Sequence, residues 1–454
     1  MGSRTLDPHT LGEIAQRVES ADFEGWERQV QRNGGCSRPV RLTGVVHRDG
    51  DVVYDTAHEP DRVLLKRCGT RRAALCASCA YTYAGDTWQL LHAGMVGGRK
   101  GVPPITVGHP LNFVTLTAPG FGAVHGRRDH DRRCHPSREG KLCPHGRPRG
   151  CMRRHHDSDP ALGQPLCLDC YDHTAAVLFN WWAPELWRRF TIGLRRQLAD
   201  RLGVPRRQFN GAVRVSFAKV AEFQRRGVVH FHAIIRLDAN TDELAPPPVA
   251  IPHDTLADSI TSAAKSVRLV VAAGADEELE LRFGTQTDVR RLNGPGLRTI
   301  TPETVAGYLA KYTTKATEDL GIGPRPITAA GAESQGATAH TVAMVATCER
   351  LAATVPGLAR LTRWTHMLGF RGHFSTKSRR YSTTLGSLRR ARADHQRRTE
   401  RRARGLTDDD DDTTLVAGNW RFAGVGYLTT GDAMLAAGAA ARAREWRQLA
   451  RLEA

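Results

Sequence analysis

The chain has 454 residues, 40% hydrophobic and 25% charged, a composition that supports a buried core and excludes wholesale disorder. At roughly 150 residues per domain, that length predicts about three domains. Lys and Arg outnumber Asp and Glu by 65 to 47, a net charge of +18 that points to a polyanionic partner, most simply nucleic acid. Only eight of the basic residues are Lys, as codon bias in a GC-rich genome would produce, yet the net excess survives that discount. The longest apolar run, Ala433 to Ala441, falls well short of the ~18 residues of a membrane span. The opening MGSRTLDPHT lacks a secretion-signal pattern, so the expectation is a soluble, cytoplasmic chain with no membrane partner.

In chain order, residues 1–110 form a predicted N-terminal zinc-binding region. Cys76 and Cys79 have the Cys-x-x-Cys spacing, which sets two thiolates on one side of a tetrahedral ion, and Cys36 and Cys68 are available to close the site. Reducing conditions in the cytosol favour zinc over disulfides. TWQLLHAGMVGG reads as a helix, and NFVTLTAPG (112–120) as a strand ended by Pro-Gly. Residues 121–173 read as a zinc-pinned insertion anchored by Cys167 and Cys170. Its remaining ligands come from Cys134, Cys143 and Cys151, with His135, His145 and His155 in reserve, one Cys more than an all-thiolate site needs. The lone Cys348 reads as a buried small apolar residue.

LFNWWAPELWRRFTIGLRRQLADRLG (178–203) has helical periodicity with basic residues outward. GAVRVSFAKVAEF and VVHFHAIIRLD flank QRRG as a β-hairpin. Residues 301–317 carry a Thr N-cap followed by Pro and Glu, a well-marked helix start. Eight Arg fall between 389 and 404, and the five Asp at 408–412 read as a solvated loop.

His230 and His232 sit at i and i+2 of the second hairpin strand, so alternation puts both imidazoles on one face with Phe231 on the other. Glu222 on the first strand joins that face only if the connecting loop has an odd number of residues, such as 224–226 or 223–227. Two imidazoles and a carboxylate with open positions suit Mg²⁺ or Mn²⁺ engaged with a phosphate oxygen. The spacing is neither the H-E-x-x-H of zinc proteases nor the H-x-E…P-C-x-x-C of zinc deaminases.

The order FVTLT (113–117), His230-Phe231-His232 and then YLAKYTTK (308–315) resembles that of the HUH endonucleases. More narrowly, RCGTRRAALCASCA, GQPLCLDCYD, KVAEFQRRGVVHFHAIIRLD, LRFGTQTDVR, GFRGHFSTKSRRYSTTLG and the final GVGYLTTGDAMLAAGAAARAREWR resemble actinobacterial rolling-circle replication initiators of the RepSA type. The resemblance implies an α+β core: a central antiparallel sheet of about five strands, the His pair on a central strand, and a tyrosine helix beneath. The HUH core would occupy 111–320, with a basic helical DNA-binding region at 321–454. It further implies a nick at the double-strand origin by Tyr312 or Tyr308, leaving a 5′-phosphotyrosine and a free 3′-hydroxyl. Lys311 and Lys315 would lower the tyrosine pKa or neutralise phosphate. Single- and double-stranded origin DNA, host helicase and host polymerase are the implied partners; Mg²⁺ or Mn²⁺ and one or two structural Zn²⁺ are the implied cofactors. Relaxases add a third His, and Ala233-Ile234-Ile235-Arg236 stands there instead, so Glu222 must serve. In GHFSTKSRRYSTT, Lys377, Arg379 and Arg380, with the preceding Arg371, suit phosphate contacts, or form an ordinary basic turn and strand. The competing readings are a two-tyrosine HUH transposase and a non-catalytic zinc-dependent DNA-binding regulator.

Overall fold

The computed structural model describes residues 7–127, 133–135, 141–293, 300–315, 317–403 and 416–452. The acidic run 408–412 lies outside them. The chain forms two compact units, one from the residues up to Asp86 and from Thr384 onward, the other from Thr87–Thr383.

The first unit opens with α1 (Pro8–Glu19), where Asp7 caps the helix by accepting from the Thr10 amide at 3.0 Å and Pro8 fills the first turn. After α2 (Phe23–Arg32) come β1 (Val40–Arg48), β2 (Asp51–Asp55) and β3 (Leu64–Lys66), with β1 pairing to both of the others. Helix α3 (Ala77–Val96) starts straight after Cys76, and the division between the units falls within it.

The second unit is built on a five-stranded antiparallel sheet. Its elements are β4 (Leu111–Leu116), α4 (His173–Arg201), α5 (Arg206–Ala212), β5 (Val213–Phe223), β6 (Val229–Ala239) and α6 (His253–Ser266). They continue through β7 (Leu269–Ala272), β8 (Glu278–Leu281), β9 (Thr287–Arg291), α7 (Pro302–Thr313), α8 (Ala329–Ser334), α9 (Ala339–Thr354) and β10 (Ser375–Lys377). The strand order is β10-β5-β6-β4-β9. Alternation along β6 sends Val229, Phe231, Ala233, Ile235 and Leu237 into a core shared with Phe179, Leu186, Trp187, Phe190 and Leu194 of α4. Each of the Val, Leu, Ile and Phe side chains among them contributes about 1.5–3 kcal/mol through apolar burial. The other face of β6 carries His230, His232, Arg236 and Asp238.

The β5–β6 loop is the five residues 224–228, with Phe223 opposite Val229 and Glu222 opposite His230. The odd number keeps Glu222 on the histidine face, one place later than 223–227. Gly227 sits at φ +72°, and a Cβ there would come within 2.7 Å of the Leu368 side chain, so the turn needs glycine twice over.

The chain then returns to the first unit with α10 (Leu385–Ala403), β11 (Val416–Val425) and α11 (Thr430–Leu452). Strand β11 pairs with β1 along its whole length, from Val40 opposite Val425 to Arg48 opposite Val416. Arg17 of α1 bonds Asp432 of α11 at 2.7 Å and Asp61 at 2.9 Å, beside a small core of Trp26, Val30, Leu65 and Ala436. The expected division at 110 and 320 is therefore corrected. Residues 321–383 complete the sheet unit, because β10 pairs with β5, whereas those from 384 onward complete the N-terminal unit, because β11 pairs with β1.

Candidate active site and metal centres

Three side chains converge on the polar face of the hairpin. Glu222 Oε2 lies 2.9 Å from His230 Nε2 and 3.0 Å from His232 Nε2. The two rings meet edge to face with centroids 4.4 Å apart. On the far side of His232, Thr115 Oγ1 is 3.0 Å from Nδ1, and Phe113 stacks on the ring. Strand β4 supplies both, because Thr115 pairs directly opposite His232. With Nδ1 engaged by a hydroxyl, Nε2 is held facing Glu222.

Helix α7 brings two tyrosines to the same place. Thr301 caps it by accepting from the Thr304 amide at 3.2 Å. Tyr308 and Tyr312, one turn apart, stack edge to face at 4.7 Å, and the Tyr308 hydroxyl lies 3.3 Å from His232 Nε2. Tyr308 is 40% exposed, while Val305 and Leu309 on the same helix are buried. The tyrosines thus form an open rim and not an apolar core stripe. A cavity of about 230 Å³ adjoins them, lined by Glu222, Arg225, Tyr312 and Lys315 among others.

Partial burial, then the Glu222 carboxylate, raises both tyrosine hydroxyls above their ordinary value, and Lys315 only partly offsets this at Tyr312. Lys311 lies over the Tyr312 ring, 5.8 Å from its centroid. Lys315 acts in the expected direction at Tyr312, but burial and the carboxylate among the histidines act more strongly. Burial pushes Glu222 up, hydrogen bonds from His230 and His232 outweigh it, and the carboxylate stays charged. Burial holds His232 below its ordinary value; the neutral tautomer with its proton on Nδ1, donated to Thr115 Oγ1, is the one that frees the Nε2 lone pair.

The donor set fits a divalent ion. Edges of 2.9 and 3.0 Å match hydrogen bonds, and they also match neighbouring ligands of an octahedral ion bound at about 2.1 Å.

In the first unit the four thiols Cys36, Cys68, Cys76 and Cys79 offer sulfurs all within 4.8 Å of one another. Cys36 Sγ is 3.8 Å from Cys76 Sγ and 3.7 Å from Cys79 Sγ. Two sulfurs bound at 2.3 Å to a tetrahedral ion stand about 3.8 Å apart. Backbone amides of Ser37 and Cys68 point at these sulfurs from 3.4 and 3.3 Å, as thiolates require. In the insertion the cysteines do not gather at one point. Cys143, His145, Cys167 and Cys170 form one group, and Cys134 and Cys151 form another with His125 and His155. Cys348 is fully buried in the core.

A family model described as "Replication initiator protein, pSAM2", RepSA, matches residues 22–441. The chain belongs to the RepSA family of replication initiator proteins. A curated relative, "Replication initiator protein" of Streptomyces ambofaciens, is 44% identical over 449 residues, covering 96% of this chain and 94% of the relative. No solved structure matches. The RepSA match spans the hairpin, both tyrosines and all ten cysteines. Among the described residues no helix is long and apolar enough to cross a membrane.

The expected row of DNA-contacting cations is only partly free in this RepSA chain. Lys377 Nζ donates to the carbonyls of Ser378, Arg379 and Ser382 at 3.0–3.3 Å, which occupies all three N–H groups. Arg380 pairs with Asp242. Arg371 lies 4.5 Å over the Trp181 ring, stacked yet exposed, and Arg379 is exposed. Lys377 thus spends its donors on its own turn, whereas Arg380, paired with the exposed Asp242, keeps a partly exposed side chain. Sequence reasoning missed Thr115, Arg225 and His125. Thr115 and Arg225 carry no motif of their own and are found only through the strand register and the fold; His125 precedes the cysteines without any recognisable spacing.

Proposed function

We propose that this initiator is an HUH-type endonuclease and strand transferase that nicks one strand of an origin and starts rolling-circle replication. The observation that carries the reading is the tyrosine hydroxyl 3.3 Å from a histidine whose same nitrogen faces a carboxylate at 3.0 Å. Glu222, His230 and His232 would hold Mg²⁺ or Mn²⁺, which when bound polarises the scissile phosphate. Arg225 and Lys315, on the cavity wall, neutralise the phosphate oxygens. Tyr312, which lines that cavity, attacks phosphorus. The new bond joins its oxygen to the 5′-phosphate, the bond to the 3′ oxygen breaks, and that oxygen leaves as a hydroxyl able to prime host polymerase. Tyr308 would perform the closing transfer. Structural zinc at Cys36, Cys68, Cys76 and Cys79, and at a site that includes Cys167 and Cys170, supports the fold around this chemistry.

The family favours replication over transposition within the same chemistry. A non-catalytic regulator is the reading the experiment must defeat. Incubation with labelled single-stranded origin DNA and Mn²⁺ should give a covalent adduct mapping to Tyr312, lost in Tyr312→Phe. Adduct formation undiminished in the Tyr308→Phe/Tyr312→Phe double variant overturns the reading.

A further inference from the structure

We propose that the insertion between β4 and α4 holds two metal ions in separate centres, and that one of them, formed by His125, Cys134, Cys151 and His155, braces the loop between β5 and β6. The four donor atoms of this centre lie within 4.8 Å of one another. A tetrahedral ion of the zinc type, with sulfur at 2.3 Å and nitrogen near 2.05 Å, implies edges of about 3.3 Å between nitrogens and about 3.6 Å between nitrogen and sulfur. His125 Nδ1 is 3.2 Å from His155 Nε2, Cys151 Sγ is 3.5 Å from His155 Nε2, and Cys134 Sγ is 3.9 Å from His125 Nδ1.

The surrounding groups serve this arrangement. His155 Nδ1 is 2.7 Å from Asp159 Oδ2. A carboxylate there accepts a hydrogen bond from Nδ1–H and leaves the Nε2 lone pair facing the other donors. The Gly126 amide donates to Cys134 Sγ at 3.2 Å, and His135 Nδ1 sits 3.0 Å from the same sulfur. Backbone pairing of His135 with Cys151 at 2.8 Å in both directions brings the two cysteine segments together. The other centre has its own set: His145 Nδ1 is 3.3 Å from Cys170 Sγ and 3.8 Å from Cys167 Sγ, and Cys143 completes it.

The first centre reaches the hairpin loop through the backbone. His125 exchanges bonds with Gly163 and Gln164, both 2.8 Å. Gly163, at φ +83°, lies so close to Arg225 that a Cβ would come within 2.4 Å of its carbonyl carbon. Arg225 in turn donates to the Asp157 carbonyl at 2.6 Å. Residues 155–164, tied at one end by His155, thereby hold the loop that joins the strand of Glu222 to the strand of His230 and His232. The sequence reading pools Cys134 and Cys151 with the Cys167 site; the geometry divides them.

The test is a count of zinc by elemental analysis in full-length protein and variants. Under this proposal His155→Ala loses one zinc per chain, Cys167→Ser loses one, and the double variant loses two. One shared ion would make the double variant no worse than either single. Loss of no zinc, or of two, by His155→Ala alone also overturns the proposal. Asp159→Asn keeps every ligand and should weaken zinc retention against a chelator by roughly 10–100-fold; unchanged retention counts against it. Hydrogen exchange over residues 220–232 should rise in His155→Ala and not in Cys167→Ser. An equal rise in both variants removes the bracing role. None of these readouts depends on nicking.

Discussion

The four-thiol cluster of the first unit and the Glu222–His230–His232 cluster of the second are built by the same device, side chains of neighbouring backbone segments converging on one point. They differ in what they leave open. Cys36, Cys76 and Cys79 are at most 3% exposed, Cys68 is half-buried, and the amides of Ser37 and Cys68 donate to two of the sulfurs. Four protein donors complete a tetrahedral ion and leave no position for a substrate. Among the described residues the Glu222 cluster supplies three donors, and a cavity lined by Glu222 and Tyr312 adjoins it. A closed donor set can only hold the chain together, whereas an open one can take a phosphate.

The contrast is broken most readily at the closed cluster. Cys76→Ser should remove its zinc, and structural zinc contributes on the order of 10 kcal/mol to folding of small domains. The expected outcome is one zinc fewer and loss of protease resistance in the first unit; full zinc with unchanged melting would deny the cluster its structural role. At the open cluster the loss should appear in rate and not in folding. His230→Ala/His232→Ala should reduce nicking by at least roughly 10³-fold, about 4 kcal/mol of barrier, with the melting temperature nearly unchanged. A melting loss as large as that of Cys76→Ser would place the histidines among structural groups.

Strand β6 offers a third case, closed by opposite charges with no ion. Arg236 and Asp238, both fully buried, pair at 2.6 Å, and His109 and Ser216 complete the carboxylate at 2.7 and 2.5 Å. Asp238→Ala strands a buried guanidinium and should cost about 3–5 kcal/mol in denaturant unfolding. Burial pushes the Asp238 carboxyl up, but His109 and Arg236 more than offset it and hold it at about 2. A carboxyl depressed in the folded state stabilises above its unfolded value near 4 and loses that contribution as pH falls toward 2, about 2 kcal/mol in all. Asp238→Asn should flatten this part of the acid-unfolding curve; an unchanged curve would assign the acid sensitivity elsewhere. The smallest effect belongs to Thr115→Val, which removes the hydroxyl beside His232 Nδ1 at nearly constant volume. Mn²⁺ affinity, measured by titration, should weaken about tenfold, and no change would mean that packing by Phe113 alone orients the ring.

What could be read beforehand was local. Alternation in VVHFHAIIRLD placed both histidines on one face, and Thr301-Pro302-Glu303 marked the start of α7 within a residue. Pairings across long stretches of chain left no such trace. β10 is only three residues long and joins β5 from about 155 positions away, and nothing in STK sets it apart from a turn. Burial and Glu222 raise the Tyr308 and Tyr312 hydroxyls, whereas the sequence displays only their immediate neighbours Lys311 and Lys315. In the insertion, Cys-x-x-Cys spacing marked Cys167 and Cys170, but which partner each remaining cysteine takes depends on how the loop crosses itself.

The pairing of β1 with β11 has a bearing on how this protein is made. Val40–Arg48 leaves the ribosome long before its partner Val416–Val425. Synthesis proceeds at roughly 5–20 residues per second, so this edge of β1 waits some tens of seconds for its neighbour while the intervening sheet unit, whose strands are all already present, is free to fold. A translation product that stops before residue 416 keeps that edge unpaired, an invitation to aggregation and proteolysis. The topology thus couples maturation of the first unit to synthesis of residues 416–425, well after the hairpin and the tyrosine helix have been made.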